Sequence, residues 1–123
     1  QGPDERVLRT SACREAFEEA RVPVLSPAPS ADTWHDVCTA WRDRVHHDAT
    51  EFLTFCRTLE VVPAVDQLHY WCSFITPNVE HERHRKGGFD ARFYVWCAHE
   101  HSAVRGERDK RVAHILHTVL LLY

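Results

Sequence analysis

Apolar positions along the chain follow two rhythms, and the rhythm changes near Val65. Upstream the spacing is helical. Trp34, Val37, Cys38, Trp41 and Val45 recur at intervals of three and four, which gives a helix over 32–46 one apolar face. His46-His47 breaks that pattern. Asp48, with Glu51 three residues on, then reads as a capping box opening a helix over 48–60, its buried side formed by Phe52, Leu53, Phe55, Cys56 and Leu59. Val61-Val62-Pro63 ends it. An earlier helix spans 11–21, capped by Thr10 or Ser11, with Ala16 and Phe17 turned inward. Residues 1–9 are polar and too short to fold alone, and Pro23, Pro27 and Pro29 with Ser26 and Ser30 make a loop. Downstream the period is two. Residues 68–75 are aromatic and β-branched and predict a strand stopped by Thr76-Pro77. A second strand covers 89–98, with Ala91, Phe93, Val95 and Cys97 on one face and Arg92, Tyr94 and Trp96 on the other. The charged stretch 77–88 ends in a Lys86-Gly87-Gly88 turn, which joins the two strands as a long hairpin. Residues 112–123 could be helix or strand, and Ala113, Ile115, Leu116 and Val119 favour the helix. The class is α+β.

Length and charge narrow the field. The 123 residues suit one domain with one core. Fifteen basic against eighteen acidic side chains leave a net charge of −3, so there is no electrostatic footprint for nucleic acid. Five cysteines, at 13, 38, 56, 72 and 97, are odd in number and form no C-x-x-C pair, which predicts free thiols in an intracellular, reducing compartment. No stretch reaches the roughly 18 apolar residues of a membrane helix, and no secretory signal opens the chain. Nucleic acid and membrane are therefore not expected partners, and the sequence assigns no oligomeric state.

The densest chemistry lies in residues 14–22, Arg-Glu-Ala-Phe-Glu-Glu-Ala-Arg-Val. On an α-helix Glu15, Glu18 and Glu19 stand at i, i+3 and i+4 and point to one side. Stacked like charges require a positive partner, either Arg14 or a divalent cation. Three glutamates in reach of one another suit a hard cation. A charged helix face with no chemistry is the plain alternative. Other constellations are weaker. His69-x-x-Cys72 and Cys97-x-His99 flank the two strands and offer a zinc tetrad only with irregular spacing, against buried thiols and ordinary histidines. Gly87-Gly88 lacks the partners of a phosphate-binding loop. His81, His84, His101, His114 and His117 read as exposed or edge residues.

The run R-E-x-x-E-E-x-x-V resembles the second half of the nudix box, G-x5-E-x7-R-E-U-x-E-E-x-G-U, where U is bulky and apolar. Arg14, Glu15, Glu18, Glu19 and Val22 fall in register, and Ala16 takes the first apolar position. Arg21 stands where the pattern has a glycine that ends the helix in a left-handed backbone, and Arg6 stands at its first glutamate. Further markers resemble the acyl-coenzyme A diphosphatase branch of the nudix hydrolases, the nucleoside diphosphate-linked moiety X motif 19 type. They are Trp41-Arg42, Phe52-Leu53-x-x-Cys56, Leu68-His69-x-Trp71, Ile75-Thr76-Pro77 and Phe89-Asp90-x-x-Phe93.

The resemblance implies a single partial nudix domain over 1–123. It would be part of an α/β/α sandwich, with the box helix at 11–22, a helical insertion at 31–60 and strands near 68–75 and 89–98. It implies a diphosphatase that cleaves coenzyme A or acyl-coenzyme A to 3′,5′-ADP and (acyl-)4′-phosphopantetheine with Mg²⁺ or Mn²⁺. Glu18 and Glu19 would be chief metal ligands, Glu15 a ligand or general base, and Arg14 the residue that orients a carboxylate. Arg85 and Lys86 could reach substrate phosphates or belong to a solvated loop. The branch is peroxisomal, although Leu121-Leu122-Tyr123 is not a Ser-Lys-Leu address. The family's glycine-rich segment upstream of the box is not recognisable here, so these residues are expected to hydrolyse coenzyme A very poorly or not at all. A non-catalytic binding or interaction module derived from the fold is the rival reading, and a small zinc-stabilised domain is a third.

Overall fold

A computed structural model of the protein describes residues 4–75, 89–97 and 113–121. The first helix, α1, is Glu5–Glu15. It starts well before the expected residue 11, because Asp4 supplies the cap and its Oδ1 accepts from the Arg6 amide at 3.1 Å. Thr10 is interior, its hydroxyl donating back to the Arg6 carbonyl at 2.9 Å. Residues 5–9, read from the sequence as polar and too short to fold alone, are thus part of the helix. The next turn, Ala16–Ala20, is π-wound. Arg21 then leaves the helix at φ 57°, ψ 38°, the left-handed backbone expected at the glycine position.

The next two helices are α2, Ala31–His47, capped by Ser30, and α3, Glu51–Leu59. The expected capping box at α3 is not formed. Asp48 Oδ1 takes the Thr50 amide at 3.0 Å in a local turn, while the Glu51 carboxylate faces Arg44 at 2.8 Å. Leu53, expected inside, is exposed; Phe52, Phe55 and Cys56 are buried. Glu60 ends α3 in a second left-handed residue at φ 60°.

Two short strands escape any local pattern. β1, Leu25–Ser26, pairs antiparallel with β2, Val62–Pro63. A 3-10 turn, Val65–Gln67, leads into β3, His69–Ile75, which pairs antiparallel with β4, Phe89–Cys97. The expected two-stranded pairing is present; the 77–88 connection lies outside the described residues. The third strand is a correction. Residues 112–123, expected as a helix, contribute β5, Ala113–Leu121, registered from Phe89↔Leu121 to Cys97↔Ala113. An open β4 edge offers a full ladder of main-chain bonds, and Ile115, Thr118 and Val119 favour a strand.

The core is one cluster. Phe17 stacks on Phe55 with ring centroids 4.5 Å apart and meets Trp34 edge-on at 5.8 Å, which ties the acidic helix to α2 and α3. Tyr94 and Trp96 are buried, so the Arg92–Tyr94–Trp96 face of β4 turns toward the core. Trp96 Nε1 donates to Gln67 Oε1 at 2.9 Å. The start of α1 is tied to the sheet by a polar knot. Arg9 donates to the carbonyls of Val65 (3.1 Å) and Leu68 (2.6 Å) and stacks over the Tyr94 ring, while Tyr94 donates to Glu5 at 3.0 Å.

Candidate functional site

The acidic helix is held at both ends. The Arg9 knot fixes its start, and Phe17 in the aromatic cluster anchors its last turn. Arg14 and Glu15 come from the end of α1, Glu18 and Glu19 from the π turn. A π turn is wider than an α turn, so the one-sided α spacing expected across 15, 18 and 19 does not carry through 16–20.

Glu15 is the most perturbed carboxylate among the described residues. Burial pushes it up to about 7; the Arg14 guanidinium opposes this, and the charges of Glu19 and Glu18 add to it. Arg14 Nη2 stands 4.0 Å from Glu15 Oε2, and Glu15 Oε1 is buried with no hydrogen-bond partner among the described residues. Burying an unpaired carboxylate oxygen is costly, and a positive group or a proton at this atom would relieve the cost.

Glu18 is gripped from three directions. Arg14 Nη1 donates to Glu18 Oε2, His46 Nδ1 lies 3.3 Å from Oε1, and Arg42 Nε donates to the Glu18 main-chain carbonyl. The Glu18 side chain is only 10% exposed, so the Arg14 and Arg42 contacts are part-buried, while the His46 ring, 70% exposed, meets it from the solvent side. One turn on, Trp34 Nε1 donates to the Arg21 carbonyl at 2.9 Å. Glu19 is exposed beside this group. Arg14, Glu15 and Glu18 are therefore brought together, with Glu19 at the rim.

Among the described residues, no group of three His, Cys, Asp or Glu side chains converges on one point as a finished metal site. The donor set still suits a hard cation: two partly buried carboxylates, one with an orphaned oxygen, and an exposed third on the next turn. Sequence reasoning assigned no part here to Trp34, Arg42 or His46. Trp34 and Arg42 were visible only as a core residue and half of a Trp-Arg pair, and His46 as a break in the pattern. Their contacts with the π turn span separations of 13, 24 and 28 residues, which leave no local signature.

The other candidates do not assemble among the described residues. His69 is registered with Val95, and Cys72 with Phe93. His99, Arg85, Lys86, His81, His84 and His101 lie outside the described residues, as do the side chains of His114 and His117. All five cysteines are free thiols, as expected, with Cys13, Cys38 and Cys56 buried.

Residues 1–118 match the family described as the NUDT19 Nudix domain. Among curated proteins, the chain is similar to the acyl-coenzyme A diphosphatase NUDT19 of Homo sapiens, with 34% identity over 80% of this chain and 28% of the relative. It is similar to that of Gallus gallus, with 31% identity over 93% of this chain and 34% of the relative, and to that of Xenopus laevis, with 26% identity over 88% and 31%. The chain thus spans about a third of the length of these relatives. No solved structure matches it significantly. With the Arg14–Glu19 run in register and nearly the whole length covered, the chain belongs to the NUDT19 Nudix domain family.

Proposed function

We propose that this chain forms the metal-binding part of a nudix diphosphatase that cleaves the pyrophosphate of coenzyme A or acyl-coenzyme A, releasing 3′,5′-ADP and (acyl-)4′-phosphopantetheine. The observation that carries the reading is Glu15, whose buried Oε1 has no hydrogen-bond partner among the described residues and whose neighbours are the charges of Arg14, Glu19 and Glu18. The name shared by the relatives, acyl-coenzyme A diphosphatase, supports the substrate class. Glu18 and Glu19 are the chief ligands for Mg²⁺ or Mn²⁺, with Glu15 as a further ligand or as the base toward water. When bound, the cation supplies positive charge against the pyrophosphate and polarises a P–O bond. Arg14 holds the Glu18 carboxylate by a charge-assisted bond, which limits where its oxygens can go. The free thiols support an intracellular site of action, and the peroxisome is the compartment implied by resemblance.

One observation favours the non-catalytic alternative. Glu18 already has Arg14 and His46 as partners, and the three carboxylates do not converge. Titrating Mn²⁺ by its paramagnetic signal separates the readings. The parent is expected to bind Mn²⁺, and Glu18→Gln/Glu19→Gln to lose it; equal signals from both would remove the metal site. Adding coenzyme A and Mg²⁺ and resolving 3′,5′-ADP by chromatography tests the reaction, which Glu18→Gln is expected to abolish.

A further inference from the structure

We infer that Arg42 of α2 is a positioning residue for the Glu18 carboxylate, and that α2 is a clamp on the acidic helix rather than a passive insertion. The inference rests on Glu18 as a metal ligand and adds what holds it in place. It begins from one carbonyl. The chain turns out of the helix at Arg21, whose amide donates to the Phe17 carbonyl at 3.1 Å. The next amide, Val22, reaches back to the Ala16 carbonyl, also at 3.1 Å. The following residue is Pro23, which has no N–H to give. The Glu18 carbonyl is thereby passed over by the main chain at the helix exit, and the Arg42 guanidinium donates to it instead.

Arg42 does not act alone on its helix. Trp34, Arg42 and His46 are separated by eight and four residues, so they lie on one stripe of α2. Trp34 holds the Arg21 carbonyl, Arg42 the Glu18 carbonyl and His46 the Glu18 carboxylate. Cys38, midway along the stripe, is buried. Three polar contacts thus pin the π turn and its exit, the segment that carries both Glu18 and Glu19. A main-chain grip on Glu18 fixes its Cα, and Arg14 and His46 then restrict the side chain. Loss of the main-chain grip frees the turn to rewind and shifts both glutamates relative to Glu15.

The test compares the parent, Arg42→Ala, Arg42→Lys and a control, Arg44→Ala, on the same 123-residue chain. Arg44 lies on the same helix but pairs with Glu51 and stacks on Trp41, away from Glu18. Mn²⁺ affinity is read from the paramagnetic signal, and amide hydrogen exchange is read at Arg21 and Val22 against Phe52 and Phe55 in α3. Arg42→Ala is expected to weaken Mn²⁺ binding by about tenfold or more, the scale for removing a residue that orients a metal ligand. It should also speed exchange at Arg21 and Val22 without speeding it in α3. Arg42→Lys, which keeps a donor and the charge, should recover part of both and serves if the alanine variant does not fold. Arg44→Ala should leave both unchanged. Unchanged exchange at Arg21 and Val22 in both Arg42 variants would overturn the clamp. Faster exchange with unchanged Mn²⁺ affinity would overturn the positioning role. If the parent itself holds no Mn²⁺, the ligand reading of Glu18 falls separately, and exchange alone decides the clamp.

Discussion

Glu15 carries a carboxylate oxygen to which nothing among the described residues donates. Its environment is arranged against its own charge, through burial and through two glutamates on the same helix. Such a group weakens the metal-free fold and becomes favourable only when a cation or a proton is supplied. Glu15→Gln removes the buried charge and keeps the shape. It is expected to stabilise the metal-free chain by about 1 kcal/mol, or roughly 3–6 °C in Tm, while weakening Mn²⁺ binding. A calorimetric scan that found a lower Tm for the variant would show that the carboxylate has a partner after all. The buried thiols are a contrasting case, since burial pushes Cys13 up to about 12 and Cys38 and Cys56 to about 11. They pack as small apolar groups and not as nucleophiles.

Elements in this chain are held by their ends. Arg21 occupies the left-handed exit of the acidic helix, where a Cβ costs roughly 1–2 kcal/mol. Arg21→Gly relieves that cost but loosens the unfolded chain, so a net gain of about 0.5–1 kcal/mol is expected in urea unfolding. A loss would mean that the Arg21 side chain contributes more to the fold than its backbone costs. At the other end, Glu5 accepts from Arg9 and Tyr94 and lies beside Arg92. Desolvation opposes its ionisation, yet those hydrogen bonds and charges prevail and hold its pKa below the ordinary 4.5. A depressed carboxylate stabilises the fold above its unfolded pKa, and that contribution fades as pH falls through the folded one. Acidification from pH 5 downward should therefore loosen the start of α1, and Glu5→Gln should flatten that part of the pH–stability curve. The effect should stay under about 1 kcal/mol because the Glu5 side chain is half exposed. A curve unchanged by the substitution would remove the knot from the account of acid sensitivity.

At the scale of the molecule, the sheet divides two environments. The Tyr94–Trp96 face of β4 is sealed in the core, while on the neighbouring strand Trp71 and Phe74 are 55% and 59% exposed. Both make edge-on contacts with Phe93, at centroid distances of 6.3 and 5.5 Å. Exposed aromatic side chains on a sheet favour self-association. Phe74→Lys should lower the light scattering of concentrated chain without changing its Tm by more than a degree or two, in keeping with the small effect of surface substitutions. Scattering unchanged by the lysine would show that association, if any, uses another surface.

Features that repeat over a turn or a pleat were legible before folding. The apolar stripe of α2, the alternation of β4 and the in-register acidic run are patterns of neighbours at two, three and four residues, and periodicity reads those directly. The left-handed exit at Arg21 was also legible, because a glycine position in a known pattern states a backbone requirement. Tertiary structure decided the rest. The π winding after Glu15 has no local signature; it occurs where Phe17 seats against Phe55 and Trp34. The 113–121 segment is open to either reading locally, and it is a strand because β4 offers an edge of main-chain partners. Leu25–Ser26 is a strand only because Val62–Pro63 lies alongside. Arg42 and His46 reach Glu18 only after α2 has folded back across the acidic helix, at separations of 24 and 28 residues. A contact between residues so far apart depends on how whole helices pack, and local spacing carries no record of it.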